Sequence, residues 1–286
     1  MCPAKVNLYL RVLGRRADGY HDLVTVMQPL SLADELIVTP GGEGLGFTCD
    51  RPELPQGKEN LVCRAALGFQ EAAGVKVAAH FSLRKRIPVA AGLGGGSSDA
   101  AGALQALNRL YGFPLDGPRL HSLAVSLGAD VPFFLGRGPA IGSGTGTELT
   151  PLALPPYHYL LLNPGVPLST RWVYEHLDLA RLRDLPDTRH WDPEHPERWV
   201  HNDLGAVAMA RFPELAGWLD RLRLAGAVTQ GISGSGPTVF GLFPTWEAAR
   251  EGAEVLRESF RGWLAVAQGL TGTETDDTWE SRIWMT

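Results

Sequence analysis

Lysine is scarce in this sequence. Of 26 basic residues only Lys5, Lys58, Lys76 and Lys85 are lysine, and the other 22 are arginine. Arginine serves wherever any cation will do, so a retained lysine marks a candidate position for a compact point charge. Cysteine is equally sparse. Cys2, Cys49 and Cys63 are odd in number and show no CxxC spacing, which excludes both a disulfide framework and a thiolate zinc site. No apolar run approaches the ~18 residues of a membrane helix. The opening segment is interrupted by Asn7 and Arg11 and does not read as a signal peptide, so a cytoplasmic location is expected. A basic excess is missing too. The net charge of -5 argues against a general nucleic-acid binder, which gains most of its affinity by neutralising phosphates. His190, Asp192, Glu194, His195 and His201 fit no recognised metal-ligand spacing, and no protein-held metal is expected.

At roughly 100 to 200 residues per domain, 286 residues suggest two domains. From Lys5 to Val12 apolar residues alternate with polar ones, the period of a half-buried strand, which puts Lys5 and Asn7 on one face. Asp18-Gly19 marks a turn, and strands are expected over 23–30 and 35–39. Asn60 is a plausible N-cap for a helix ending at Gly74. A strand over 77–85 precedes a glycine run and a helix capped by Ser97 or Ser98, and a further helix spans 116–128. Beyond residue 155 the order strand, helix, strand, strand, helix, strand is that of a ferredoxin-like layer. A helix begins after Asn202, breaks at Pro213 and resumes to Leu224, and the stretch from Thr271 reads as a loosely held polar tail. The fold class is therefore α+β, with domains over 1–155 and 156–286.

The strongest chemical signal is Gly92-Leu-Gly-Gly-Gly-Ser-Ser98 joined directly to a helix start. Glycines let backbone approach a ligand closely, and the unpaired N–H groups of a first helical turn favour phosphate. The run is neither a Walker A loop nor GxGxxG, and GxSxG occurs nowhere. Gly142-Ser-Gly-Thr-Gly146 has no helix after it and reads as a hairpin turn.

Pro88 to Ser98 resembles the phosphate loop of the GHMP small-molecule kinases, and Gly231-Ile-Ser-Gly-Ser-Gly-Pro237 resembles their C-terminal glycine motif. Pro3-Ala-Lys-Val-Asn-Leu8, Gly14 to His21, Leu127 to Pro132, Asn163-Pro-Gly165 and Asn202-Asp203-Leu204 follow in the family's order. The resemblance implies a two-domain kinase, with a mixed β/α nucleotide-binding domain and a ferredoxin-like one. It implies ATP as donor with Mg²⁺ bridging the donor's phosphates, and a cytidine diphosphate polyol as acceptor. The sequence leaves the oligomeric state open, with a monomer or a weak homodimer as the expectation. Lys5 and Asp130 would be catalytic. Pro88, Gly92, Gly94, Gly95, Gly96, Ser97 and Ser98 would form the phosphate loop. Asn60 and Lys85 correspond to positions near the adenine, though a helix cap and a strand-end charge describe them equally well. Asn7, Tyr20, His21, Thr170 and Tyr174 would hold the acceptor, with the cytosine stacked on aromatic rings. The chain departs from the family at Asp99, where Asn is frequent, at Tyr174, where Phe is frequent, and in lacking a Ser-Pro-Leu after the last strand.

Overall fold

A computed structural model of the chain describes residues 1–182, 191–272 and 283–285. The described residues group into two compact units, each assembled from non-contiguous segments. One comprises Met1–Ala4, Leu32–Val89 and Gly94–Arg137, and the other Lys5–Ser31, Ala90–Leu93 and Gly138–Thr286. Among the described residues no helix is long and apolar enough to cross a membrane.

The first unit is built on β2 (His21–Pro40, of which residues 32–40 belong here), β3 (Leu45–Cys49) and β4 (Ala79–Arg84). β4 runs antiparallel to β2, pairing Leu83 with Leu36, and parallel to β3, pairing Phe81 with Phe47. Three helices complete it: α1 (Leu61–Ala73), α2 (Gly95–Leu110) and α3 (Gly117–Leu127). Asn60 caps α1 by accepting from the Val62 N–H at 2.9 Å, and left-handed Gly74 closes it. Asp116 caps α3 in the same way through Arg119 N–H. Leu104 and Leu107 of α2 and Phe69 of α1 are fully buried.

The strand expected over 23–30 and that expected over 35–39 are one continuous strand, β2. Ser31 and Asp34, which lie between the two expected strands, are both fully buried with partners. The Ser31 hydroxyl accepts from Gln268 N–H at 2.9 Å, and Asp34 accepts from Arg86 and Ile87 N–H at 2.6 and 2.9 Å. A buried polar group that is satisfied costs little, so polarity there does not end the strand.

In the second unit β1 (Cys2–Arg15, from Lys5 onward) lies between β2 and β8 (His201–Asn202), and the hairpin of β5 (Ala140–Ser143) and β6 (Glu148–Pro151) extends β2. Residues 142–146 are the turn of that hairpin, as their sequence suggests. A second sheet is antiparallel throughout, in the order β12-β11-β7-β10-β9. Its strands are β7 (His158–Asn163), β9 (Thr229–Ile232), β10 (Val239–Phe243), β11 (Trp263–Gln268) and β12 (Ile283–Met285). Without β12 the spatial order is fourth, first, third, second, the ferredoxin-like arrangement. Helices α5 (Asp203–Arg211), α6 (Glu214–Leu224) and α7 (Trp246–Arg257) pack on it around Leu160, Leu162, Val239 and Val266. The tail expected to be loose lies mostly outside the described residues, but Ile283–Met285 pairs with β11. Pro186 and His190 also lie outside them.

Candidate active site

In the second unit, β1 directs Lys5 and Asn7 to one face, and both are buried. The Lys5 ammonium donates to Asn7 Oδ1 at 2.5 Å, and Asn7 Nδ2 donates to the Thr25 hydroxyl at 2.8 Å. Thr25 in turn donates to Tyr9 C=O. A buried ammonium is tolerable only when its N–H groups are met by oxygen, and the strand's two-residue period supplies that oxygen from Asn7.

The glycine motif at 231–237 closes around the same strand. Asn7 N–H donates to the Ser233 hydroxyl at 3.3 Å, and that hydroxyl donates to Gly92 C=O at 2.9 Å. Gly234 adopts φ +56; a Cβ there would lie 3.3 Å from Asn7 Oδ1 and 3.4 Å from Lys5 Nζ. Asn202 holds the turn from beneath by donating to both Ile232 and Gly234 C=O at 2.7 Å. Thr170, the first residue of α4 (Thr170–Glu175), shares a 2.8 Å hydrogen bond with Ser235. Lys5 N–H donates to Leu93 C=O at 2.9 Å.

Gly92 is the tightest glycine of this group. Its φ is +75, and an added Cβ would lie 2.2 Å from Ser233 C=O. Gly92→Ala is therefore expected to lower stability by about 2–4 kcal/mol, combining left-handed strain with a backbone clash. Urea unfolding of the variant checks it, and an unchanged midpoint contradicts the packing described here.

In the first unit the phosphate loop runs into α2. The helix begins earlier than its sequence suggests: Gly94, at φ +72, is the N-cap without a side-chain bond, and Ser97 and Ser98 lie inside the helix. Neither serine is the cap, because glycine reaches the required left-handed conformation unaided. The N–H groups of the first turn have no intrahelical acceptor. Ser98 is buried, and its hydroxyl has no hydrogen-bond partner. Glycine backbone, first-turn N–H groups and an unmatched buried hydroxyl form a donor set suited to phosphate oxygens.

Lys85 lies at the end of β4, buried. Its ammonium bridges the Asp34 carboxylate and Asp99 Oδ2, the latter at 2.7 Å. Burial acts against the ammonium, but Asp99 and Asp34 together raise its pKa. Burial pushes the Asp99 carboxyl up to about 7 against the pull of Lys85, and the Asp34 charge adds to the rise. Sequence offered no signal for Asp34, which is 51 positions from Lys85. Asn60 is engaged as a helix cap and also donates to Pro55 C=O. Pro88 is half-buried ahead of the loop. Asp130 is half-buried in the turn between α3 and a short 3-10 segment, Pro132–Leu135.

Of the aromatic residues, His21 and Tyr174 stack with centroids 5.0 Å apart and planes at 27°, while Tyr20 is 64% exposed. Burial, then the nearby Arg15 charge, lowers the His21 pKa, keeping the ring neutral at pH 7. The acidic and histidine residues near 190–201 form separate pairs, Asp192 with His195 at 2.7 Å and His201 with Asp203 at 2.6 Å. Among the described residues no three such side chains are grouped to hold a metal ion. Thr25, Asn202 and Ser233 support the site but were legible only as parts of motifs or not at all.

The lysine and asparagine on one strand face tied to a glycine turn, and, in the other unit, the glycine-led helix start, are features by which the sequence resembles the GHMP small-molecule kinases. Two family models agree, GHMP kinases N terminal domain over residues 60–138 and GHMP kinases C terminal over residues 180–262. A protein from Syntrophotalea carbinolica named 4-diphosphocytidyl-2-C-methyl-D-erythritol kinase is 43% identical over 93% of this chain and 96% of its own. One of the same name from Syntrophus aciditrophicus is 44% identical over 90% and 93%. The chain belongs to the 4-diphosphocytidyl-2-C-methyl-D-erythritol kinase family. A crystal structure of a 4-(cytidine 5'-diphospho)-2C-methyl-D-erythritol kinase superposes with a TM-score of 0.81 at 44% identity, covering 95% of this chain and 98% of the other. A homoserine kinase from Cytophaga hutchinsonii, at 18% identity and a TM-score of 0.66, shares the fold.

Proposed function

We propose that this chain transfers the γ-phosphoryl group of ATP to the tertiary 2-hydroxyl of 4-diphosphocytidyl-2-C-methyl-D-erythritol, a step of non-mevalonate isoprenoid synthesis in the cytoplasm. The observation that carries the reading is identity above 40% over nine-tenths of the chain to proteins of that name. The retained Lys5–Asn7 pair against Gly234 supports it. A homoserine or mevalonate acceptor is less well supported, since such kinases share the fold at 18% identity or less.

In the transfer, the acceptor oxygen forms a bond to the γ-phosphorus as the bond to the β,γ-bridging oxygen breaks and ADP leaves. The transition state is loose, so catalysis rests on alignment and on compensating charge. Lys5 supplies a compact positive charge to the transferring phosphoryl group. Asp130 accepts the hydroxyl's proton. Gly92, Gly94, Gly95 and Gly96 with Ser97 and Ser98 cradle the donor's phosphates, whose charge would be partly offset by Mg²⁺ carried with the nucleotide. Asn60 and Lys85 are assigned near the adenine. Asn7 and Thr170 meet the sugar or diphosphate of the acceptor. Tyr20, His21 and Tyr174 hold the cytosine, the neutral His21 ring serving as a hydrogen-bonding partner.

Tyr174→Ala is expected to raise KM for the acceptor about tenfold to a hundredfold, the equivalent of one stacked base, with KM for ATP unmoved. Tyr174→Phe should restore it. Steady-state kinetics with each substrate varied separately makes the test, and an equal rise in both KM values counts against the assignment.

A further inference from the structure

Lys85, Asp34 and Asp99 are three charged side chains buried together against α2, at 5%, 0% and 4% side-chain exposure. One ammonium serves two carboxylates, so the cluster carries a net negative charge when both are ionised. Asp34 is otherwise well provided for, because Arg86 and Ile87 N–H groups donate to its second oxygen. Asp99 is not. Its Oδ1 is buried without a hydrogen-bond partner, and burial raises the pKa of its carboxyl. The cluster is also tied to the turn that would hold phosphate. A Cβ on Gly95 would lie 3.2 Å from Lys85 Nζ and 3.1 Å from Ile87, so the first turn of α2 rests directly on Lys85. Asp99 follows four residues after Gly95, about 6 Å along the helix axis.

The other ionisable groups around Asp99 do not replace that proton. Cys2 of β1 packs against α2 beside Gly102, with its thiol pushed up to about 12 by burial, then by Asp99, so it stays protonated. Asp50, just beyond β3, accepts from Lys85 backbone N–H at 2.9 Å and adds negative charge. The Cys49 thiol beside it is raised by burial and stays neutral.

We infer that Asp99 is a positioning residue for the donor's phosphates, acting through Lys85, and that its carboxyl takes up a proton when ATP binds at the start of α2. This rests on the donor site assigned above. Negative charge brought to the helix N-terminus disfavours an ionised carboxylate in the second turn, and the unpaired Oδ1 is the atom that receives the proton. A protonated Asp99 still accepts from Lys85 through its other oxygen, so the turn keeps its support. The sign follows by linkage: binding that raises a group's proton affinity is strongest where the proton is already present and weakens as pH rises.

The test is calorimetric titration of the whole protein with MgATP, without acceptor, in two buffers of different ionisation enthalpy. At pH 7.5 the wild-type protein is expected to take up roughly half a proton per ATP, and its Kd to weaken about fivefold between pH 6.5 and 8. Asp99→Asn, which keeps the shape and the oxygen facing Lys85, should bind ATP with the uptake removed and Kd nearly flat over that range. Equal proton numbers in the two proteins, or a flat wild-type Kd, overturn the inference while leaving the kinase reading intact. Wild-type protein that gives no ATP heat in either buffer overturns the donor-site reading and this inference with it.

Discussion

Asp130→Asn is expected to reduce kcat by about 10²- to 10⁴-fold, the range for losing a positioned general base, with KM for ATP changed by less than about threefold. The asymmetry follows from the assigned roles. In that assignment the loop glycines, the first-turn N–H groups of α2 and the Ser98 hydroxyl, which has no partner of its own, are given to the donor's phosphates, and Asp130 is given to the acceptor. Asparagine preserves the shape of the half-buried turn before Pro132, so the circular dichroism spectrum should match that of the wild type. A variant that turns over at the wild-type rate removes Asp130 from the proton transfer. A variant that loses ATP binding instead reassigns it to the donor.

Lys5→Met is expected to be comparably severe, lowering kcat by about 10²- to 10³-fold through loss of charge compensation at the transferring phosphoryl group. Lys5→Arg should not restore the rate. Lys5 is 3% exposed, its ammonium wedged between Asn7 Oδ1 and Gly234, and a planar guanidinium needs more room and a different geometry. Single-turnover rates with both substrates saturating isolate the chemical step. Full activity in Lys5→Arg would mean that any cation suffices there.

Composition marked all four lysines alike, and only the motifs separated Lys5 and Lys85 from the other two. In a chain that otherwise prefers arginine, its two buried lysines, Lys5 and Lys85, are the two the motifs single out, whereas Lys58 and Lys76 are exposed. The ferredoxin-like order was legible from strand periodicity and helix caps, because Asn202 and Thr245 each cap a helix through their own side chains. The Lys85 cluster was not. It depends on Asp34, which sits inside a long strand where a charged residue reads as an interruption, and only the fold brings it to the end of β4. The start of α2 was misplaced by three or four residues for a related reason. Serine is the stronger N-cap by propensity, but Gly94 can take the left-handed conformation that the turn needs. Asp99 stood out in the sequence only as a departure from the family's frequent Asn, and without the fold its partner could not be named.

ADP release measured against a small acceptor panel tests the central claim most directly. With MgATP and 4-diphosphocytidyl-2-C-methyl-D-erythritol, ADP should form stoichiometrically with phosphorylated acceptor, while homoserine, mevalonate and methylerythritol lacking the cytidine diphosphate should give none above background. Equal turnover with homoserine or mevalonate, or no turnover with the cytidine diphosphate compound, would contradict the account.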